Sequence, residues 1–223
     1  MSVLADAILA PDTRANQPAA TAVSDGAIYF VTDEGVLERS NGAAWEAYSA
    51  AIPALERIQQ IVTTGSQATV DFTSIPATYA AVVVEWVSRD TQGGTSVVGF
   101  DLKVNNDGTS GNYTSVFRIG SQNAAAAVSN IAASANGVQV GAHPQDGNTA
   151  GMAGTGILRI VGYASATWHK RILSHFGQDD ATANGLTSFH NARWKSATAI
   201  NQLTFTAGTA FKDGSIFTLY GVR

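Results

Sequence analysis

No cysteine occurs in the 223 residues of this chain, which excludes disulfide frameworks, thiolate metal sites and cysteine nucleophiles together. Charge is also scarce. Asp, Glu, Lys and Arg make up 13% of the residues, against about 25% in ordinary globular chains. Ala, Gly, Ser, Thr and Asn fill the gap, a small-residue profile suited to tightly turned β structure and close packing between subunits. The net charge is −4, with no basic run and no nucleic-acid-reading motif, so no nucleic-acid partner is expected. No apolar run approaches the roughly 20 residues of a membrane span. The opening MSVLADAILAPD lacks a positive segment, and Asp6 breaks its short apolar run. Neither a membrane anchor nor a secretory signal is expected. The G-x-S-x-G, G-x-x-x-x-G-K and H-E-x-x-H signatures are all missing. No catalytic residue, metal site or cofactor is therefore assigned.

What the chain does have is alternation. In FTSIPATYAAVVVEWVSRDT, Val82, Val84 and Trp86 fall on one parity, while Glu85 and Arg89 fall on the other. In FDLKVNNDGTSGNY, Phe100, Leu102 and Val104 alternate with Asp101, Lys103 and Asn105. Period two marks strands with one buried face, because successive side chains leave a sheet on opposite sides. Phe72–Tyr113 thus reads as a strand pair in the middle of a larger sheet structure. Similar short runs, separated by Gly, Asn, Asp and Ser clusters, continue to Ser215–Val222, giving about ten strands after residue 63. Many short strands without alternating helices imply an antiparallel sandwich or jelly roll rather than βαβ units.

Upstream, residues 1–22 read as an extended arm with little structure of its own. Residues 23–50 read as a three-stranded meander with an Asn41-Gly42 turn, and Tyr29, Trp45 and Tyr48 supply its apolar surface. Residues 51–62 read as a connector, either a short helix or a linker running straight into the next strand. Ala124–Ala135 is open between helix, loop and weak strand.

Few residues suggest chemistry. His169 and His175 share a parity and could hold a metal with His190, or could be ordinary solvent-facing strand residues. The run Asn105–Thr109 faintly resembles a calcium loop, but the same residues are common turn formers. Gly151, Gly154 and Gly156 precede a strand rather than a helix, which is the wrong context for phosphate binding. Asp179, Asp180 and Glu85 are acids with nothing to select them. One constellation stands apart: Trp168, His190, Arg193 and Trp194 bring aromatic rings and hydrogen-bonding groups into two late strands. Exposed, they would form a carbohydrate platform; buried, both Trp would be core.

Two stretches carry a resemblance. DGAIYFVTDEGVLERSNGAAWEAY looks like the small β module near the start of tailed-bacteriophage fibre and appendage proteins. The remainder, with its Ile75-Pro76-x-x-Tyr79 start, its Asn-x-Asp…Asn-Tyr turn and its closing GSIFTLYGVR, resembles the jelly-roll domain of the same virion proteins. The resemblance implies a non-enzymatic structural protein of the virion, made in the host cytoplasm and often trimeric. Residues 1–50 would attach to other virion proteins, and residues 63–223 would be the outward jelly roll. Tail fibre, capsid decoration and a receptor-binding tip for a host glycan all fall within that class. A trimer would also account for the apolar residues on the mixed face of Ala80–Arg89, with Val83 and Val87 covered by a second subunit.

Overall fold

A computed structural model describes residues 9–47, 55–121, 124–129, 136–179 and 185–223. The expectations for residues 1–8, for Tyr48 and for Asp180 lie outside the described residues, as do those for 48–54 and 130–135. The chain divides into two compact units, 1–53 and 54–223, and all of its sheets are antiparallel.

In the first unit, strands β1 (Ile28–Val31), β2 (Val36–Ser40) and β3 (Trp45–Ala47) form the meander. Gly42 sits at φ +82° in the second turn, and Asn41 Oδ1 accepts from the Ala43 and Ala44 N–H groups. Residues 9–22 are not a free arm. The Leu9 and Asp12 N–H groups donate to the carbonyls of Ile28 and Phe30 on β1. Arg14 reaches both Glu34 and Glu38, and the Trp45 indole N–H donates to the Pro18 carbonyl at 2.7 Å. Three short strands cannot bury a face alone. The preceding segment therefore supplies the second layer over Ala27, Tyr29 and Val31, all buried. Its Ala- and Pro-rich composition, without large apolar side chains at a regular spacing, concealed this, because the docking uses backbone and ionic groups.

The second unit is a jelly-roll sandwich. Its twelve strands are β4 (Leu55–Val62), β5 (Gln67–Phe72), β6 (Ala81–Ser88), β7 (Val97–Val104), β8 (Tyr113–Ser121), β9 (Ala124–Ser129), β10 (Val138–Pro144), β11 (Gly154–Val161), β12 (Lys170–Gln178), β13 (Leu186–Trp194), β14 (Leu203–Phe211) and β15 (Ile216–Val222). One sheet has the order β10-β7-β14-β5, and the other has β4-β15-β6-β11-β12-β13-β8-β9. The chain crosses between sheets at β5, β6, β7 and β8, and again at β10, β11, β14 and β15. This is the alternation of a jelly roll, with the β12–β13 hairpin inserted between β11 and β8. Leu55–Val62 is thus no connector but an edge strand paired to β15. Nor do β6 and β7 pair. They lie in opposite sheets, because both bury one face on the same core. In the 124–135 stretch, residues 124–129 are a strand.

The core centres on Phe100 of β7. Its ring meets Trp86 at 5.4 Å, Phe211 at 5.6 Å, Phe217 at 6.1 Å and Phe205 at 6.2 Å, all at steep interplanar angles. Fully burying such side chains stabilises by about 1.5–3 kcal/mol each. Such rings also need small neighbours. A Cβ at Gly156 would come within 2.3 Å of the Trp86 ring, and one at Gly141 within 2.0 Å of Phe100.

Candidate functional site

The proposed sugar platform does not assemble. Along β13 the side chains of His190, Ala192 and Trp194 point into the sandwich and are buried, while Arg193 points outward. His190 is stacked on Phe117 and touches Phe176, and its Nδ1 lies 3.0 Å from the Gln139 carbonyl. Burial lowers its pKa against the opposing effect of that hydrogen bond. Trp194 donates its indole N–H to Asp107. Only Trp168, which is 74% exposed, and Arg193 reach the surface. Alternation along β13 decides this, since residues 190, 192 and 194 share a parity with the core.

Trp168 owes its position to a buried cation. Lys170 opens β12 and is 1% exposed. Its ammonium donates to the carbonyls of Ser165, Trp168 and Ala197, tying two loops together. Three carbonyl acceptors are what a buried ammonium needs. Burial lowers the Lys170 pKa.

The histidines do not converge. His169 and His175 are exposed, on a loop and on the outer face of the large sheet, whereas His190 is inside. Among the described residues no cluster of His, Asp or Glu could hold a metal ion. The 105–109 run is a turn. Asn105 and Asn106 adopt φ of 48° and 60°, and the Asp107 carboxylate accepts from the Trp194 indole, the Asn112 amide and the Thr109 N–H. Against the upward push of burial, these donors hold Asp107 at about 2.

Tertiary folding also builds a grouping that spacing could not reveal. Ser88 at the end of β6, His143 on β10 and Asp90 in the following loop form a chain. Ser88 Oγ lies 3.1 Å from His143 Nδ1, and His143 Nε2 lies 3.5 Å from Asp90 Oδ2. It has the membership of a nucleophile–base–acid triad, yet His143 and Asp90 are 0% exposed and Ser88 2%. No substrate reaches Oγ in this arrangement. Asp90 also accepts from the Gln92 and Thr209 N–H groups, and burial raises its pKa less than these donors and His143 lower it. The chain links the β6, β10 and β14 ends of the two sheets. Beside it, the Arg89 guanidinium donates to the carbonyls of Asp146, Asn148, Thr149 and Met152, fastening that loop. Asp146 also pairs with Lys212.

Val83 and Val87 share the outward parity of β6 but differ in exposure. Val83 is 5% exposed within its own chain and cannot be what a second subunit covers, whereas Val87 is 44% exposed. Val87 belongs to the outer face of the eight-stranded sheet, which is the most distinctive surface of the protein. Ile157, Leu173 and Phe189 are each more than 40% exposed there. Phe189 lies flat on His175 with centroids 4.1 Å apart, and two adjoining depressions of about 710 and 410 Å³ share Ile157 and His175. The sequence signal was present as the outward parity of β11, β12 and β13, but only the strand order shows that these residues are neighbours. No protein-family model matches the chain, and no curated protein or solved structure matches it either.

Proposed function

We propose that this chain is a non-enzymatic structural protein of a tailed-phage virion, attached to the particle through residues 1–50 and displaying the jelly-roll unit outward. The observation that carries the reading is the division into a small β unit and a separate jelly-roll sandwich, the organisation of an attachment piece and a displayed head. The Ser88–His143–Asp90 chain fits it as well, since the grouping is sealed and serves to join the two sheets. The head would be a tail fibre or a capsid decoration, assembled as a trimer. The test is mass spectrometry and imaging of purified particles, with limited proteolysis of the free and particle-bound protein. The reading requires the chain to be present at fixed stoichiometry, with residues 1–50 gaining protection on the particle. Absence from particles, or equal protection in both states, would reject it.

A second reading is favoured by one residue. Trp168 stands 74% exposed on a loop held by buried Lys170, a preorganised aromatic of the kind that stacks on sugar rings. On this reading the head contacts a host-surface glycan.

A further inference from the structure

The outer face of the large sheet carries a charge opposite to that of the protein. Register places the outward residues of adjacent strands in rows. One row runs Thr218, Glu85, Ile157, His175, Phe189, Arg118. The next runs from Arg57 and Tyr220 through Val83, Arg159 and Leu173 to Asn191. Beyond it Arg171 and Arg193 lie directly opposite each other on β12 and β13. The face therefore holds Arg57, Arg118, Arg159, Arg171 and Arg193, five of the chain's nine arginines, against the single carboxylate of Glu85. That is a local balance of 5 − 1 = +4 on a protein of net −4.

None of these five guanidiniums has a carboxylate within ion-pair distance among the described residues. Among the described residues Arg171 donates to the Asn191 side chain alone, and Arg193 Nε is buried without a hydrogen-bond partner. Like charges directly opposite on a sheet destabilise it, so the Arg171–Arg193 pair is a cost that nothing within the described chain offsets. An anion from outside would offset it, because the guanidinium fork matches carboxylate and sulfate oxygens in pairs.

The rest of the face narrows the class of anion. Beside the arginines lie the open depressions floored by Ile157, His175 and Phe189, with the exposed Thr155 and Thr187 side chains and the Glu85 carboxylate around them. Apolar ring faces with hydroxyl-reading groups beside a line of cations suit a polymer of anionic sugars. An acidic protein surface would leave the hydroxyl-lined depressions unfilled, and a second copy meeting this face with its own would set +4 against +4.

We infer that the arginine-lined outer face of β11, β12, β13 and β8 binds an acidic polysaccharide, with Arg171 and Arg193 gripping its carboxylate or sulfate groups and Phe189 stacking on its rings. The inference deepens the glycan reading and is independent of virion attachment.

The experiment is biolayer interferometry of the purified full chain against immobilised alginate, polysialic acid and heparin, with dextran, polyglutamate and single-stranded DNA as comparisons. At least one acidic polysaccharide binds, more weakly as salt rises. Its Kd rises at least about tenfold in the Arg171→Ala/Arg193→Ala double variant. Phe189→Ala weakens it too, while Lys103→Ala on the opposite sheet has no effect. Arg171→Lys/Arg193→Lys keeps the charge but loses the fork, and recovers only part of the affinity. Thermal melts separate binding from folding: removing the opposed guanidiniums leaves the melting temperature unchanged or higher. The inference is overturned by no binding to any acidic polysaccharide, by equal binding to polyglutamate or DNA, or by an unaffected double variant. Binding to dextran alone that is lost in Trp168→Ala overturns it as well, while leaving the glycan reading standing.

Discussion

The Trp194 indole N–H donates to Asp107 Oδ2 at 2.7 Å, joining the end of β13 to the turn after β7. The same turn is held from below by Tyr113, whose hydroxyl donates to the Asp107 carbonyl and accepts from the Val104 N–H. Asn105 secures its other side, donating to the Ala199 carbonyl and accepting from the Asn201 and Gln202 N–H groups. One short turn thereby ties three chain segments together at one end of the sandwich.

Removing the carboxylate should expose that dependence. Asp107→Ala leaves a buried indole N–H and an amide without their acceptor, which costs about 2–3 kcal/mol. Urea unfolding followed by tryptophan fluorescence measures it. A loss below about 0.5 kcal/mol, the range of ordinary surface substitutions, would show that the turn stands without Asp107.

Acid should act through the same group. Asp107 titrates at about 2 in the folded protein, against an ordinary value of 3.8, and Asp90 is lowered as well. A depressed carboxylate contributes stability above its unfolded pKa and loses it as pH falls toward the folded value. The contribution of these two carboxylates should therefore be level above about pH 5 and fall between about pH 4 and 2, with Asp107 accounting for on the order of 1–2 kcal/mol, whereas buried His190, whose pKa is lowered, withdraws stability separately as pH falls below about 6.5. Asp107→Asn should flatten part of that slope in acid titrations monitored by circular dichroism. An unchanged slope would assign the loss to other carboxylates.

The Lys170 cage should control the Trp168 loop. Lys170→Met keeps the stem but leaves three carbonyls without their donor, at a cost of about 2–3 kcal/mol. Proteolysis within residues 165–169 should accelerate. Cutting elsewhere first would mean that the loop holds its shape without the ammonium.

Packing at Gly156 offers a pairwise test. Gly156→Ala drives a methyl into Trp86 and should destabilise by about 1–3 kcal/mol. Combined with Trp86→Leu, which opens that space, it should cost less than the sum of the two single changes. Strict additivity in chemical denaturation would place the strain elsewhere.

Alternation alone made the strands legible. Phe100, Leu102 and Val104 face the core as their parity requires, and Val82, Val84 and Trp86 do the same in the other sheet. The same parity was available for His190 and Trp194, and it placed them inside. Their side-chain chemistry by itself leaves platform and core both open, since aromatic and polar groups in sequence resemble a binding platform wherever they fall. The 9–22 segment was missed for a different reason. Its contacts are backbone hydrogen bonds and the Arg14 pairs with Glu34 and Glu38, none of which leaves a periodic trace.

The sequence by itself determined an all-β chain with a small unit ahead of a larger sandwich, because side-chain period and turn residues are local properties. Tertiary structure alone decided that β6 and β7 lie in opposite sheets, that Ser88, His143 and Asp90 meet, and that five dispersed arginines share one face. Those outcomes depend on strand order, which pairs residues up to 167 positions apart, as Leu55 of β4 with Val222 of β15. No local pattern encodes which strands become neighbours.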